Sequence, residues 1–158
     1  MQESRTIPWV NELTSGARVE AALGRLLLRG TRMYLYERLV DGVEGVDPTT
    51  YPVLSGLARG GPTSATRLAA VIGLDRTATT RYASRLESAG LLRRAPDPED
   101  ARVTRLELTA AGRAAVSAMR DTLTSVFDDL LAGWSGPEAD RFAAALERFT
   151  TQLEANRS

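Results

Sequence analysis

The stretch SATRLAAVIGLDRTATTRYASRLESAG, residues 64–90, decides the fold. It reads as two short helices broken by Gly73-Leu74-Asp75. Ser64 or Thr63 offers a side-chain oxygen to start the first helix, with Leu68, Ala69 and Ile72 facing inward. Gly73 stands where a helix-terminating glycine supplies a left-handed residue. Asp75 is a good N-cap for the second helix, which runs to about Ala89 and stops at Gly90. Tyr82, Ala83 and Leu86 form its inward stripe, with Thr79 at the edge. Two short helices joined this way form a helix-turn-helix.

The hydrophobic period then changes. Leu91-Leu92-Arg93-Arg94 is a short strand, and Val103–Leu108 alternates, with Leu106 and Leu108 on one face and Arg105 and Glu107 on the other. The proline- and acid-rich run 95–102 turns between them. A two-stranded hairpin after a helix-turn-helix is a wing.

Outside this unit the pattern is helical. Residues 1–17 read as a polar arm or short extra helix around Trp9. One long helix is expected from Arg18 to the glycines at 42–45, and another from about Thr49 to Gly60. Thr109 caps a long helix with Val116, Met119, Leu123, Phe127, Leu130 and Leu131 inward. Ser135 and Glu138 form a capping box ahead of the last helix, whose apolar side holds Phe142, Ala143, Leu146, Phe149, Thr150 and Leu153. The expected architecture is mainly α with a small β-hairpin wing: an arm (1–17), helical dimerisation segments (18–46 and 109–158) and a winged helix-turn-helix (47–108).

Composition narrows the function. The chain has 158 residues, no cysteine and no histidine, and its formal net charge is zero. Disulfides, thiolate zinc sites, redox sensing and histidine general-base chemistry are excluded together. No phosphate-cradling glycine loop or nucleophile–base pair is visible, so no enzyme, metal or cofactor is expected. Without a run of about 20 apolar residues or a signal-peptide pattern, the expected location is the cytoplasm, away from membranes. All 20 basic residues are arginine. Residues 63–113 hold nine of them against six acids, so positive charge collects on the winged segment.

The outward side of the second short helix shows Arg76, Thr77, Thr80, Arg81, Ser84 and Arg85, with no acid among them. Arginine forks fit guanine edges and phosphates, and threonine offers a hydroxyl and a methyl. Arg102 at the wing suits a negative minor groove. Asp100, two residues away, is expected to brace the hairpin by pairing with an arginine. With Ser64 at the first helix start, these nine residues are the candidate DNA contacts, and double-stranded DNA is the expected partner. The alternative is a dimeric winged-helix protein-interaction module without DNA binding.

The segment Leu74–Gly112 resembles the multiple-antibiotic-resistance regulator (MarR) family. The resemblance is carried by Leu74-Asp75-Arg76, Arg81, Arg85-Leu86-Glu87, Ala89–Arg94, Asp97-Pro98-Glu99-Asp100-Ala101-Arg102 and Leu108-Thr109-Ala110-Ala111-Gly112. It implies a homodimeric transcriptional regulator, expected to be a repressor, with two recognition helices and wings straddling a palindrome. It also implies release by a small aromatic or phenolic ligand held between the dimer helices and the DNA lobe. By position, Arg32, Tyr34, Tyr36 and Tyr51 are the candidate pocket residues.

Overall fold

In the computed structural model, which describes residues 14–156, Asp75 does cap a helix. Its Oδ1 accepts the Ala78 N–H at 2.7 Å, and the helix runs Arg76–Ser88. The chain order is α1 (Ser15–Leu27), α2 (Arg29–Val40), α3 (Tyr51–Gly60), β1 (Thr63–Ser64), α4 (Ala65–Ile72), α5 (Arg76–Ser88), β2 (Leu92–Pro96), β3 (Thr104–Leu108), α6 (Ala110–Leu131) and α7 (Gly136–Ala155). Contacts divide it into two units, residues 1–116 and 117–158.

The first unit is built around α3, α4, α5 and the sheet. Ser64 caps α4 by accepting the Arg67 N–H at 3.3 Å. Gly73 ends α4 in the left-handed region at φ 69°, and this turn sends the chain into α5. Val53, Leu54, Leu57, Leu68, Ala83, Leu86, Leu92 and Leu106 are buried. Such side chains contribute roughly 1.5–3 kcal/mol each when fully removed from water. Gly56 lets α4 come close to α3: a Cβ there would lie 2.6 Å from Ile72 Cγ2 and 2.8 Å from Leu68 Cδ1.

The sheet has the order β1-β3-β2, all antiparallel. Arg93 stands opposite Glu107, and Arg94 opposite Leu106. The sequence reading expects only the hairpin. The third strand pairs Thr63 with Leu106 and Ser64 with Arg105; two residues are too short to carry an alternating pattern.

The Leu108–Gly112 motif ties the end of the hairpin to the end of α5. The Thr109 N–H donates to the Leu91 carbonyl at 3.1 Å. Its hydroxyl donates to the Gly90 carbonyl at 2.7 Å and accepts the Gly112 N–H at 3.0 Å. One threonine therefore caps α6 and closes the wing.

The single long helix expected from Arg18 is two helices. Thr14 caps the first by accepting the Ala17 N–H at 3.2 Å, so α1 begins at Ser15. Leu28 adopts φ −54°, ψ 138° and breaks the helical run. The Thr31 hydroxyl donates to the Arg25 carbonyl at 3.0 Å, which also accepts the Leu28 N–H at 3.4 Å at the end of α1. Gly30 adds a poor helix former at the same place. The expected arm around Trp9 lies outside the described residues.

The second unit contains the remainder of α6 and α7. The Glu138 carboxylate accepts the Ser135 N–H at 2.9 Å and its hydroxyl at 2.6 Å, so the capping box forms. Trp134 packs on Phe142 with ring centroids 5.4 Å apart. Phe127 and Leu130, expected to face inward, and Phe142, Leu146 and Leu153, of the last helix's apolar side, are exposed in the single chain. Among the described residues no helix is long and apolar enough to cross a membrane.

Candidate nucleic-acid interface

On α5, Thr79, Ala83 and Leu86 are fully buried. Residues three and four apart share a helix face, so the opposite side must face outward. Arg76, Thr77, Thr80, Arg81, Ser84 and Arg85 are all exposed. Thr79, read from sequence as an edge residue, lies in the core, where its hydroxyl donates to the Asp75 carbonyl at 2.9 Å. Tyr82 is half-exposed instead of inward.

The outward side chains differ in how they are held. The Thr80 hydroxyl donates to the Arg76 carbonyl at 2.9 Å, and the Ser84 hydroxyl to the Thr80 carbonyl at 3.1 Å. Both oxygens keep acceptor capacity. The Arg81 guanidinium lies 5.1 Å from the Tyr82 ring centroid, with Nη2 3.4 Å from the tyrosine hydroxyl. Tyr82 thus supports Arg81 from the flank.

Two ion pairs tie α5 to its neighbours. Arg94 of β2 pairs with Glu87 and donates to Ser84 Oγ at 3.0 Å. Arg85 pairs with Asp47 in the loop before α3, and its Nη1 lies 3.4 Å from Thr49 Oγ1. Burial pushes the Asp47 carboxyl pKa upward, but hydrogen bonds from Thr49, Thr50 and Arg85 outweigh it and hold the group below its ordinary value. Sequence spacing alone marks none of these partners, because Asp47 and Arg85 are 38 positions apart.

The wing loop is braced locally. Asp97 Oδ1 accepts the Glu99 N–H at 2.8 Å, and Asp100 Oδ1 accepts the Arg102 N–H at 3.0 Å. Asp100 was expected to pair with an arginine side chain; its hydrogen bond goes to the backbone instead. A short carboxylate reaches the N–H two residues on more readily than a guanidinium. The acid that does pair is Glu107, which accepts from Arg93 at 2.9 Å and Arg105 at 2.7 Å. The Arg93 hydrogen bond, then that of Arg105, holds its pKa below the ordinary value. Arg102 is exposed.

Beside α5 lies an open cleft of about 270 Å³. Arg29, Arg32, Met33 and Tyr36 of α2 form one wall, and Thr49 and Tyr82 stand on others. Of the four candidate pocket residues, Arg32 and Tyr36 line it. Tyr51 packs against Tyr36 at 4.8 Å between centroids. Tyr34 is exposed, and its hydroxyl accepts from Arg38 at 3.3 Å, away from the lining.

The model of the MarR family matches residues 44–103, which include α3, α4, α5 and β2. The chain is 29% identical over 103 residues to the uncharacterized HTH-type transcriptional regulator YxaD of Bacillus subtilis (strain 168), covering 65% of this chain and 72% of that protein. It is 28% identical over 143 residues to a putative transcriptional regulatory protein for the hcr operon of Thauera aromatica, covering 89% and 86%. The crystal structure of MarR family transcription regulator SP03579 superposes with a TM-score of 0.65 at 27% identity, covering 87% of this chain and 93% of that one.

Proposed function

We propose that the chain, whose residues 44–103 match the model of the MarR family of transcriptional regulators, is a cytoplasmic repressor that binds a pseudo-palindromic operator as a homodimer. The observation that carries this reading is the exposed side of α5, with Arg76, Thr77, Thr80, Arg81 and Ser84 presented together and the one acid on that side, Glu87, paired with Arg94. The N-terminal part of a recognition helix meets base edges in the major groove. Arg102 sits on the wing, suited to the flanking minor groove. In this reading residues 47–108 are the DNA-binding domain, and 18–46 with 109–158 are the dimerisation segments.

The exposed apolar residues support dimerisation. Leu26, Leu27 and Leu28 in the first unit, and Phe127, Leu130, Phe142, Leu146 and Leu153 in the second, are left uncovered by the single chain. Apolar surface of this kind marks an interface. The cleft beside α5 supports control by a small aromatic acid. Arg29 and Arg32 supply charge for a carboxylate, Met33, Tyr36 and Tyr82 supply apolar contact, and no acid lines it. Selection of bound sequences from a random duplex library tests the reading. An inverted repeat with half-sites about 10 base pairs apart is expected. Failure to enrich any sequence would leave the protein-interaction alternative.

A further inference from the structure

Resting on the DNA-binding reading, we propose that Asp47 and Arg85 form a strut that sets the pose of the recognition helix, so that Arg85 positions α5 and is not itself a DNA contact. At 3.6 residues per turn, Thr77 and Ser84 lie almost one above the other and mark the centre of the exposed face. Arg85 lies about 100° round the helix from Ser84, at the edge of that face. Both of its terminal nitrogens are engaged there, Nη2 by Asp47 and Nη1 by Thr49 Oγ1.

Asp47 is built to receive it. Its Oδ1 accepts the Thr49 N–H at 2.8 Å, the Thr49 hydroxyl at 2.5 Å and the Thr50 N–H at 3.0 Å. The Asp47 N–H itself donates to Thr50 Oγ1 at 3.0 Å, and Thr50 is 1% exposed. The turn that precedes α3 uses only Oδ1. Oδ2 is left for Arg85, on a carboxylate whose orientation is already fixed. The guanidinium therefore loses little freedom for each bond it makes. On the other flank, Arg94 holds Glu87 and Ser84. The helix is held from both sides, and Thr77, Thr80 and Arg81 lie between the two attachments in helical angle.

An exposed ion pair shifts a folding equilibrium by no more than about five-fold. Arg85→Ala and Asp47→Asn are therefore expected to fold, and asparagine keeps the Oδ1 acceptor for Thr49 and Thr50. The test measures affinity for the selected duplex against salt concentration for wild type, each single variant and the double variant. A strut predicts that both single variants weaken binding alike, by up to about five-fold per protomer. It predicts that the double variant is no worse than either, and that the slope of log K against log salt does not change.

A slope lower by about 0.9 per protomer in Arg85→Ala, with Asp47→Asn neutral, would place Arg85 on a phosphate and overturn the proposal. So would additive losses. Amide exchange in the free protein separates this claim from DNA binding. If wild type binds no duplex, the function reading fails, while equally faster exchange across Thr80–Ser88 in both single variants still supports the strut. Exchange in α5 unchanged by either substitution overturns it.

Discussion

A Cβ on residue 112 would stand 1.8 Å from the Leu91 carbonyl oxygen and 2.9 Å from its carbon. The glycine of the Leu108–Gly112 motif is thus a close-approach residue, not a flexible one. Gly112→Ala must push the wing junction apart, and its expected cost is about 3 kcal/mol, read as a lower urea midpoint. Gly30→Ala is the contrast: nothing lies within 4 Å of the added carbon, and the change is expected to be neutral or to stabilise by up to ~1 kcal/mol. Glu107 makes a pH prediction. Its folded pKa lies below the ordinary glutamate value, so the unfolded chain takes up the proton first. The stability it contributes is full above that value and is lost as pH falls through the folded pKa. Urea midpoints from pH 7 to 3 should fall less steeply in Glu107→Gln than in wild type; identical slopes would show the carboxylate to be uncoupled from folding. In sequence Glu107 is only an outward strand residue. The register that sets Arg93 opposite it makes it an ion-pair centre.

Capping chemistry made the elements legible. Ser64, Asp75, Thr109 and Ser135 start helices where their side-chain oxygens predict, and Gly73 ends one. What escaped had no local signal. The break at Leu28 depends on a hydroxyl reaching back to Arg25, and β1 exists only because β3 pairs with it. The exposed side of α5 was legible from helical period alone, whereas the attachments through Asp47 and Arg94 needed tertiary contacts. For this element, Arg81→Ala is expected to cost ~1–3 kcal/mol in binding and to relax base preference. Arg102→Ala should weaken all sequences more evenly. Selecting sequences with each variant checks the difference, and indistinguishable profiles would mean that α5 and the wing do not divide recognition this way.

For the assembled molecule, a second copy is the expected cover for the apolar residues left exposed on α1, α6 and α7. An interface above roughly 2,000 Å² is the expected class, and sedimentation at micromolar concentration should show a dimer and no folded monomer. The helical stripes were legible in the sequence, but whether a stripe is covered by the same chain or by a partner is not a property of periodicity. If two copies read two half-sites in fixed register, affinity depends on half-site spacing, which is tested by comparing the selected palindrome with the same duplex carrying five extra base pairs between its half-sites. Half a helical turn puts the second half-site on the opposite side of the duplex. The insertion is expected to lower affinity at least 100-fold, toward the non-specific level. Equal affinity for the two duplexes would mean that the two half-sites are not read together.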